Sequence, residues 1–250
     1  MTDASPVDEG GAGDIVDTPP HRRLTVPGWV EFPLLIIAAF LLAFLVKTFL
    51  VQAFYIPSGS MEQTLQVGDR VLVNKMVYRF RPIERGDVVV FDGTGSFVSG
   101  TPVEPEVNPA GRVVRFLGEI VGIAPPSDRD FIKRVIGVGG DRVVCCDADG
   151  QITINGIPLE ESGYLYPGNA PSKQTFDVIV PENRLWVMGD HRAASADSRA
   201  HLGDPGGGMV PENRVIGRAF AIVWPLDRAQ FIPIPEAFEV IDEQAPWPAR

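Results

Sequence analysis

Residues 32–46, FPLLIIAAFLLAFLV, contain neither a charge nor a hydrogen-bonding side chain. As a helix, the surrounding segment 29–51 would extend about 35 Å at ~1.5 Å per residue, enough for a hydrocarbon core of about 30 Å. Only Glu31 and Lys47 intrude, both near its ends. The run is too long for the apolar region of a cleavable leader, and the residues before it are too many and too acidic for a leader's start. The sequence therefore predicts one transmembrane helix over 29–51. Arg22 and Arg23 precede it, whereas 52–69 holds no Lys or Arg, so the N-terminus is expected in the cytoplasm and the remainder outside the cell membrane. Lys47 weakens that asymmetry, although its long stem can reach the interface.

The span divides the 250 residues into three parts. Segment 1–28 carries Asp3, Asp8, Glu9, Asp14 and Asp17 among Gly, Pro and small residues, too little apolar surface to offset ordering entropy, and is expected to be a disordered tail. Segment 52–250 is the candidate extracytoplasmic domain, and the overall 45% hydrophobic and 22% charged content is that of a folded protein. A net charge of −10 argues against nucleic acid as a partner, because phosphate binding needs a basic surface.

Short β-branched runs at 70–75, 87–91, 131–138, 142–146, 176–180, 184–188 and 215–223, separated by Gly, Pro, Asp or Asn, read as strands. Asn155-Gly156 between Ile154 and Ile157 reads as a two-residue hairpin turn. The fold class is mainly β: an antiparallel sheet domain with short helices. Segment 93–128 breaks the pattern, being Gly- and Pro-rich and then apolar at helical spacing over 113–123. It is expected to be a variable insert whose helix touches lipid or packs on the domain. Val-Pro-Glu-Asn-Arg occurs at 180–184 and again at 210–214, a shared turn chemistry at two strand entries. Cys145 and Cys146 are adjacent and would face opposite sides of a strand, so free thiols are expected ahead of a vicinal disulfide. No ligand set for a metal accompanies them, and no cofactor is expected.

A serine hydroxyl becomes a nucleophile only when a base takes its proton, and histidine is the usual base. Ser60 lies in Phe54-Tyr55-Ile56-Pro57-Ser58-Gly59-Ser60-Met61, a few residues beyond the apolar segment. His21 falls on the cytoplasmic side, and His191 and His201 sit in polar, Gly-rich segments that suit loop-stabilising roles better than a triad. A lysine serves instead if burial leaves part of it as free amine. Lys133, between Phe131-Ile132 and Val135-Ile136, is best placed, although pattern alone also fits an ordinary edge-strand lysine.

Three blocks change that balance: Pro57-Ser58-Gly59-Ser60-Met61, Arg129-Asp130-Phe131-Ile132-Lys133-Arg134 and Gly189-Asp190-His191-Arg192-Ala193-Ala194-Ser195-Ala196-Asp197-Ser198-Arg199. In order and spacing they resemble the type I signal peptidases, membrane serine endopeptidases that cut signal peptides from exported preproteins. The resemblance implies Ser60 as nucleophile and Lys133 as general base. It implies Ser58 as an oxyanion donor beside the Ser60 N–H, Ser195 as the residue orienting the lysine amine, and Asp197 and Arg199 as a pair holding that loop. Asp69 and Gly86-Asp87 fall in further blocks with structural roles. His191, Ala193 and Ala194 depart from the family's more frequent Asn, Asp and Asn, and some relatives have two spans.

Substrate would add as a strand against 54–57 and 130–132, involving Pro57 and the backbone from Asp130. Phe54, Ile56, Met61, Leu65, Phe131 and Ile132 would line shallow pockets for small side chains at a small-x-small site. The implied partners are preproteins, membrane lipid and the secretion machinery. Two rivals remain: a Ser-Lys protease dedicated to one partner, and a tethered, non-catalytic binding module.

Overall fold

The computed structural model describes residues 28–98 and 129–244; the side chains at 28, 30 and 43–49 and the segments 1–27, 99–128 and 245–250 lie outside the described residues. The predicted tail and most of the 93–128 insert therefore fall outside them. The chain divides into two units, 1–41 and 42–250. Helix α1 (Gly28–Phe49) covers nearly all of the predicted span, with Glu31 in its first turn and Pro33 inside it. Phe32, Leu35, Phe40 and Leu42 are exposed on it. Among the described residues no helix is long and apolar enough to cross a membrane.

The first strand begins where the span was predicted to end: Val51 already belongs to β1 (Val51–Tyr55). β2 (Arg70–Asn74), β3 (Val88–Asp92) and β4 (Asp130–Gly137) follow. Next come β5 (Arg142–Cys145), β6 (Ile152–Ile154), β7 (Ile157–Pro158), β8 (Phe176–Ile179) and β9 (Arg184–Met188). The chain then forms β10 (Val210–Pro211), β11 (Val215–Trp224), β12 (Gln230–Phe231) and α2 (Glu236–Gln244). Every predicted run is a strand. The sequence analysis did not name β1 among its strands, and it missed β10 and β12, two residues each and too short for a period, and α2, whose buried face is only Phe238 and Ile241.

Two antiparallel sheets result. The larger has the order β1-β2-β11-β3-β4-β9-β10 with β12 beside β11, and the smaller β7-β6-β5-β8. Alternation along β3 separates the larger sheet's faces. Val88 and Val90 pack with Ile56, Met61, Leu65, Val71 and Val73, while Val89 and Phe91 pack with Phe97, Val135, Leu185 and Val187. The smaller sheet shares its core with Trp186, Met188 and the buried side of α2. The two Val-Pro-Glu-Asn-Arg copies meet side by side, with Pro211 opposite Arg184 and the Glu212 N–H donating to Asn183 C=O at 2.9 Å.

One expectation is corrected. Cys145 and Cys146 form a vicinal disulfide. Strand alternation does not extend to Cys146, because β5 ends at Cys145.

Candidate active site

Ser60 follows β1 in a single 3-10 turn, Gly59–Met61, and is buried together with Met61. The turn forms because Ser58 is extended and the Glu62 N–H closes back onto Gly59 C=O at 3.0 Å, while Met61 and Leu65 are fully buried beneath it. Lys133 lies in the first half of β4, opposite Val89 of β3. On its other side β4 pairs with β9 only from Arg134 onward. Among the described residues, Phe131 and Ile132 have a strand beside them only on the β3 side. β1 is likewise an edge strand.

Lys133 Nζ donates to Ser60 Oγ at 2.7 Å and to Ile132 C=O at 2.8 Å. Only 4% of Lys133 is exposed, and burial pushes the amine down from 10.5 to about 8, with Asp197 and Asp190 acting against the shift. An amine lowered this far carries a larger neutral fraction near neutral pH than an exposed lysine does.

The loop after β9 supports this pair. Gly189 is required by close approach: a side chain there would collide with Ser60 C=O and Ser195 Oγ. Its N–H donates to Asp197 Oδ2 at 3.0 Å, and Arg199 clasps the same carboxylate through Nε at 2.8 Å and Nη2 at 2.7 Å. Burial alone would raise the Asp197 carboxyl, but Arg199 and the Gly189 N–H hold it below the usual carboxylate range. Beneath lies a second buried pair, Arg134 with Asp190, joined at 2.8 and 2.7 Å. Arg134 also donates to Gly86 C=O at 2.9 Å and packs over the Tyr164 ring. Asp69 accepts from Arg228, and Asp87 from Arg81 and Tyr78, ties that hold the sheet's loops.

The predicted residues do not all converge. Phe54, Ile56, Met61, Leu65 and Ile132 share one cluster on the Ser60 side. Phe131, on the same face of β4 as Lys133, stacks on Phe91 at 5.9 Å and lies edge-on to Phe97 at 5.3 Å, in a different cluster from Ile132. Asp130 pairs with Asp92 at the start of β4. Pro57 and Ser58 are exposed, and the Ser58 side chain makes no capping bond. Ser195 Oγ is buried without a hydrogen bond of normal geometry, and the lysine amine donates to Ser60 Oγ and Ile132 C=O.

Sequence reasoning gave His191 a loop-stabilising role but missed Thr64 and Glu62, its fellow braces of the serine turn. Thr64 Oγ1 donates to Asp190 Oδ2 at 2.5 Å, the His191 N–H donates to Ser60 C=O at 3.1 Å, and His191 Nδ1 lies 3.1 Å from Glu62 Oε2. These contacts join positions more than a hundred residues apart, and no local pattern announces them.

Comparison with known proteins agrees with this geometry. Residues 29–224 match the family model described as signal peptidase, peptidase S26. The chain is 41% identical over 228 residues to signal peptidase I of Mycobacterium tuberculosis, covering 84% of this chain and 76% of that one. It is 40% identical over 224 residues to a probable signal peptidase I of Mycobacterium leprae, covering 79% and 77%. It is 34% identical over 212 residues to a probable signal peptidase of Synechocystis, covering 85% and 78%. A serine and a buried lysine in hydrogen-bond contact, on a chain matched along most of its length, lead to one conclusion: this chain belongs to the S26 signal peptidase family of endopeptidases.

Proposed function

We propose that this protein is a membrane-anchored serine endopeptidase that removes signal peptides from exported preproteins at small-x-small sites, with Ser60 as nucleophile and Lys133 as general base. The buried 2.7 Å contact between Lys133 Nζ and Ser60 Oγ carries the reading. Neutral Nζ takes the Ser60 proton as Oγ bonds to the scissile carbonyl carbon, and the carbonyl π pair moves to oxygen. The Ser60 N–H and the Ser58 hydroxyl donate to that oxyanion, whose charge develops only at this stage. Collapse breaks the C–N bond, and the proton on Nζ passes to the leaving amine, the new N-terminus of the mature protein. Water then gives a proton to Nζ and its oxygen to the acyl carbon. Release of the acid returns the proton from Nζ to Ser60.

Substrate adds as a strand between β1 and the start of β4. The outer edge of β1 and the backbone of Phe131 and Ile132 supply main-chain partners, and Ile56, Met61, Leu65 and Ile132 supply a shallow apolar wall that admits small side chains. Segment 29–51 anchors the enzyme, as its sequence supports, and delivers Ser60 to the membrane surface where the apolar part of a signal peptide resides. The anchor and the presence of both dyad residues favour general preprotein processing over a dedicated-partner protease or a binding module.

The pH profile of the full-length protein on a peptide with a small-x-small site tests the base. Lys133 must be neutral to act, and burial lowers it to about 8, so kcat/KM is expected to rise with pH along one titration centred near that value. A limb centred near the histidine reference of ~6.5 that vanishes in His191→Ala would assign the role to an imidazole instead. Topology is tested separately: protease added outside sealed spheroplasts is expected to digest 52–250 and spare 1–28. The reverse pattern would remove the protein from preprotein processing.

A further inference from the structure

The reading of Ser60 as nucleophile leaves open what holds its turn in place. Glu62 sits two residues beyond Ser60, and its carboxyl folds back over the turn, 2.8 Å from where a Cβ on Gly59 would lie. There it meets His191 Nδ1 at 3.1 Å. The same His191 holds Ser60 C=O through its backbone N–H at 3.1 Å, and Asp190 holds Thr64 through its carboxylate. Three contacts from one dipeptide thus fall on residues 60, 62 and 64.

Between the last two lies Gln63 at φ 90°, a left-handed conformation that costs a non-glycine residue free energy and persists only where its surroundings impose it. Glu62 and Thr64, the residues on either side of Gln63, are the two whose side chains are tied to the dipeptide. The His191 ring is itself fixed, stacked on Tyr166 at 4.0 Å with 10° between the planes, and the Tyr166 N–H donates to Asp190 C=O at 3.0 Å. Both members of the pair are partly shielded, with 18% of the His191 and 33% of the Glu62 side chain exposed.

We propose that His191 and Glu62 are positioning residues: their contact, backed by Tyr166, clamps the strained turn so that Ser60 Oγ is held within reach of Lys133. The proposal rests on the Ser60/Lys133 reading and extends it to a pair with no chemistry of its own. Misplacing a nucleophile by a fraction of an ångström lowers the rate of the chemical step while leaving the pockets that bind substrate intact.

The test is a double-mutant cycle on the full-length enzyme with a small-x-small peptide, run beside Ser60→Ala. His191→Ala and Glu62→Ala are each expected to lower kcat about tenfold with KM within twofold. The double variant should be no worse than the poorer single one, because both remove the same contact. His191→Asn, whose amide nitrogen can occupy the place of Nδ1, should restore kcat to within about threefold of wild type.

Full kcat in His191→Ala, additive losses in the double variant, or an effect confined to KM would overturn the clamp. If His191→Ala does not fold, Glu62→Ala decides alone, since this partly exposed side chain leaves the core untouched. The two readings separate cleanly. An inactive Ser60→Ala beside a fully active Glu62→Ala removes only the clamp, whereas activity in Ser60→Ala removes the nucleophile assignment itself.

Discussion

Ser60→Ala and Lys133→Met are each expected to lower kcat/KM by about 10⁴-fold or more, and the double variant should lose no more than either alone, because nucleophile and base act as one unit. The two substitutions part company in stability. Lys133 is buried and its amine is lowered from 10.5 to about 8, so its charged form is disfavoured in the folded state relative to the unfolded chain. The penalty is fully present below about pH 8 and is relieved as pH rises toward 10.5, where the unfolded chain also loses its proton. Lys133→Met removes an ammonium the fold does not favour, and is expected to raise the midpoint of thermal unfolding at pH 7 by several degrees, on the order of 1–3 kcal/mol. Ser60→Ala should leave the midpoint within a degree or two. Circular dichroism melts in detergent, set beside peptide cleavage, check both; a less stable Lys133→Met would mean that the amine is well satisfied where it lies and is no poised base.

Asp190→Ala is expected to be the most damaging single change to folding outside the apolar core. Arg134 and Asp190 are both essentially inaccessible and joined by two bonds, so removing the carboxylate leaves a guanidinium buried without its partner. Breaking such a pair typically costs about 3–5 kcal/mol, and here the Thr64 bond is lost as well. Replacing both members, Arg134→Met with Asp190→Leu, should recover a large part of that loss, since the penalty arises from the stranded charge rather than from the absence of the pair. Denaturant unfolding of the three variants measures this. Wild-type stability in Asp190→Ala would show that water reaches Arg134 and that the pair is not sealed.

Most of the fold was legible in the chain. The β-branched runs between turn residues marked the longer strands, since a period of two and punctuation by Gly, Pro and Asn are local properties. β10 and β12 are strands only because β9 and β11 lie beside them. Helix α2 exists as a lid on the smaller sheet's core through Phe238 and Ile241, a dependence no window of nine residues contains. Alternation separates Ile132, which packs with the Ser60 cluster, from Phe131, which packs with Phe91 and Phe97.

The candidate site divides along the same line. Which residues are candidates for the chemistry was legible in residue type and order once the family resemblance was seen: a serine in Pro-Ser-Gly-Ser-Met, a lysine among strand formers, and an acidic and basic pair in a polar loop, all beyond one long apolar segment. Reactivity was not, because the acidity of an amine depends on how much water surrounds it, and that is fixed only when β4, the Ser60 turn and the loop after β9 close around Lys133. The tertiary structure alone decided that Lys133 is buried, that Gly189 lets Ser60 and Ser195 approach, and that His191 braces Glu62. Each is a contact between residues distant in sequence, and burial and distance are properties of the folded chain in space.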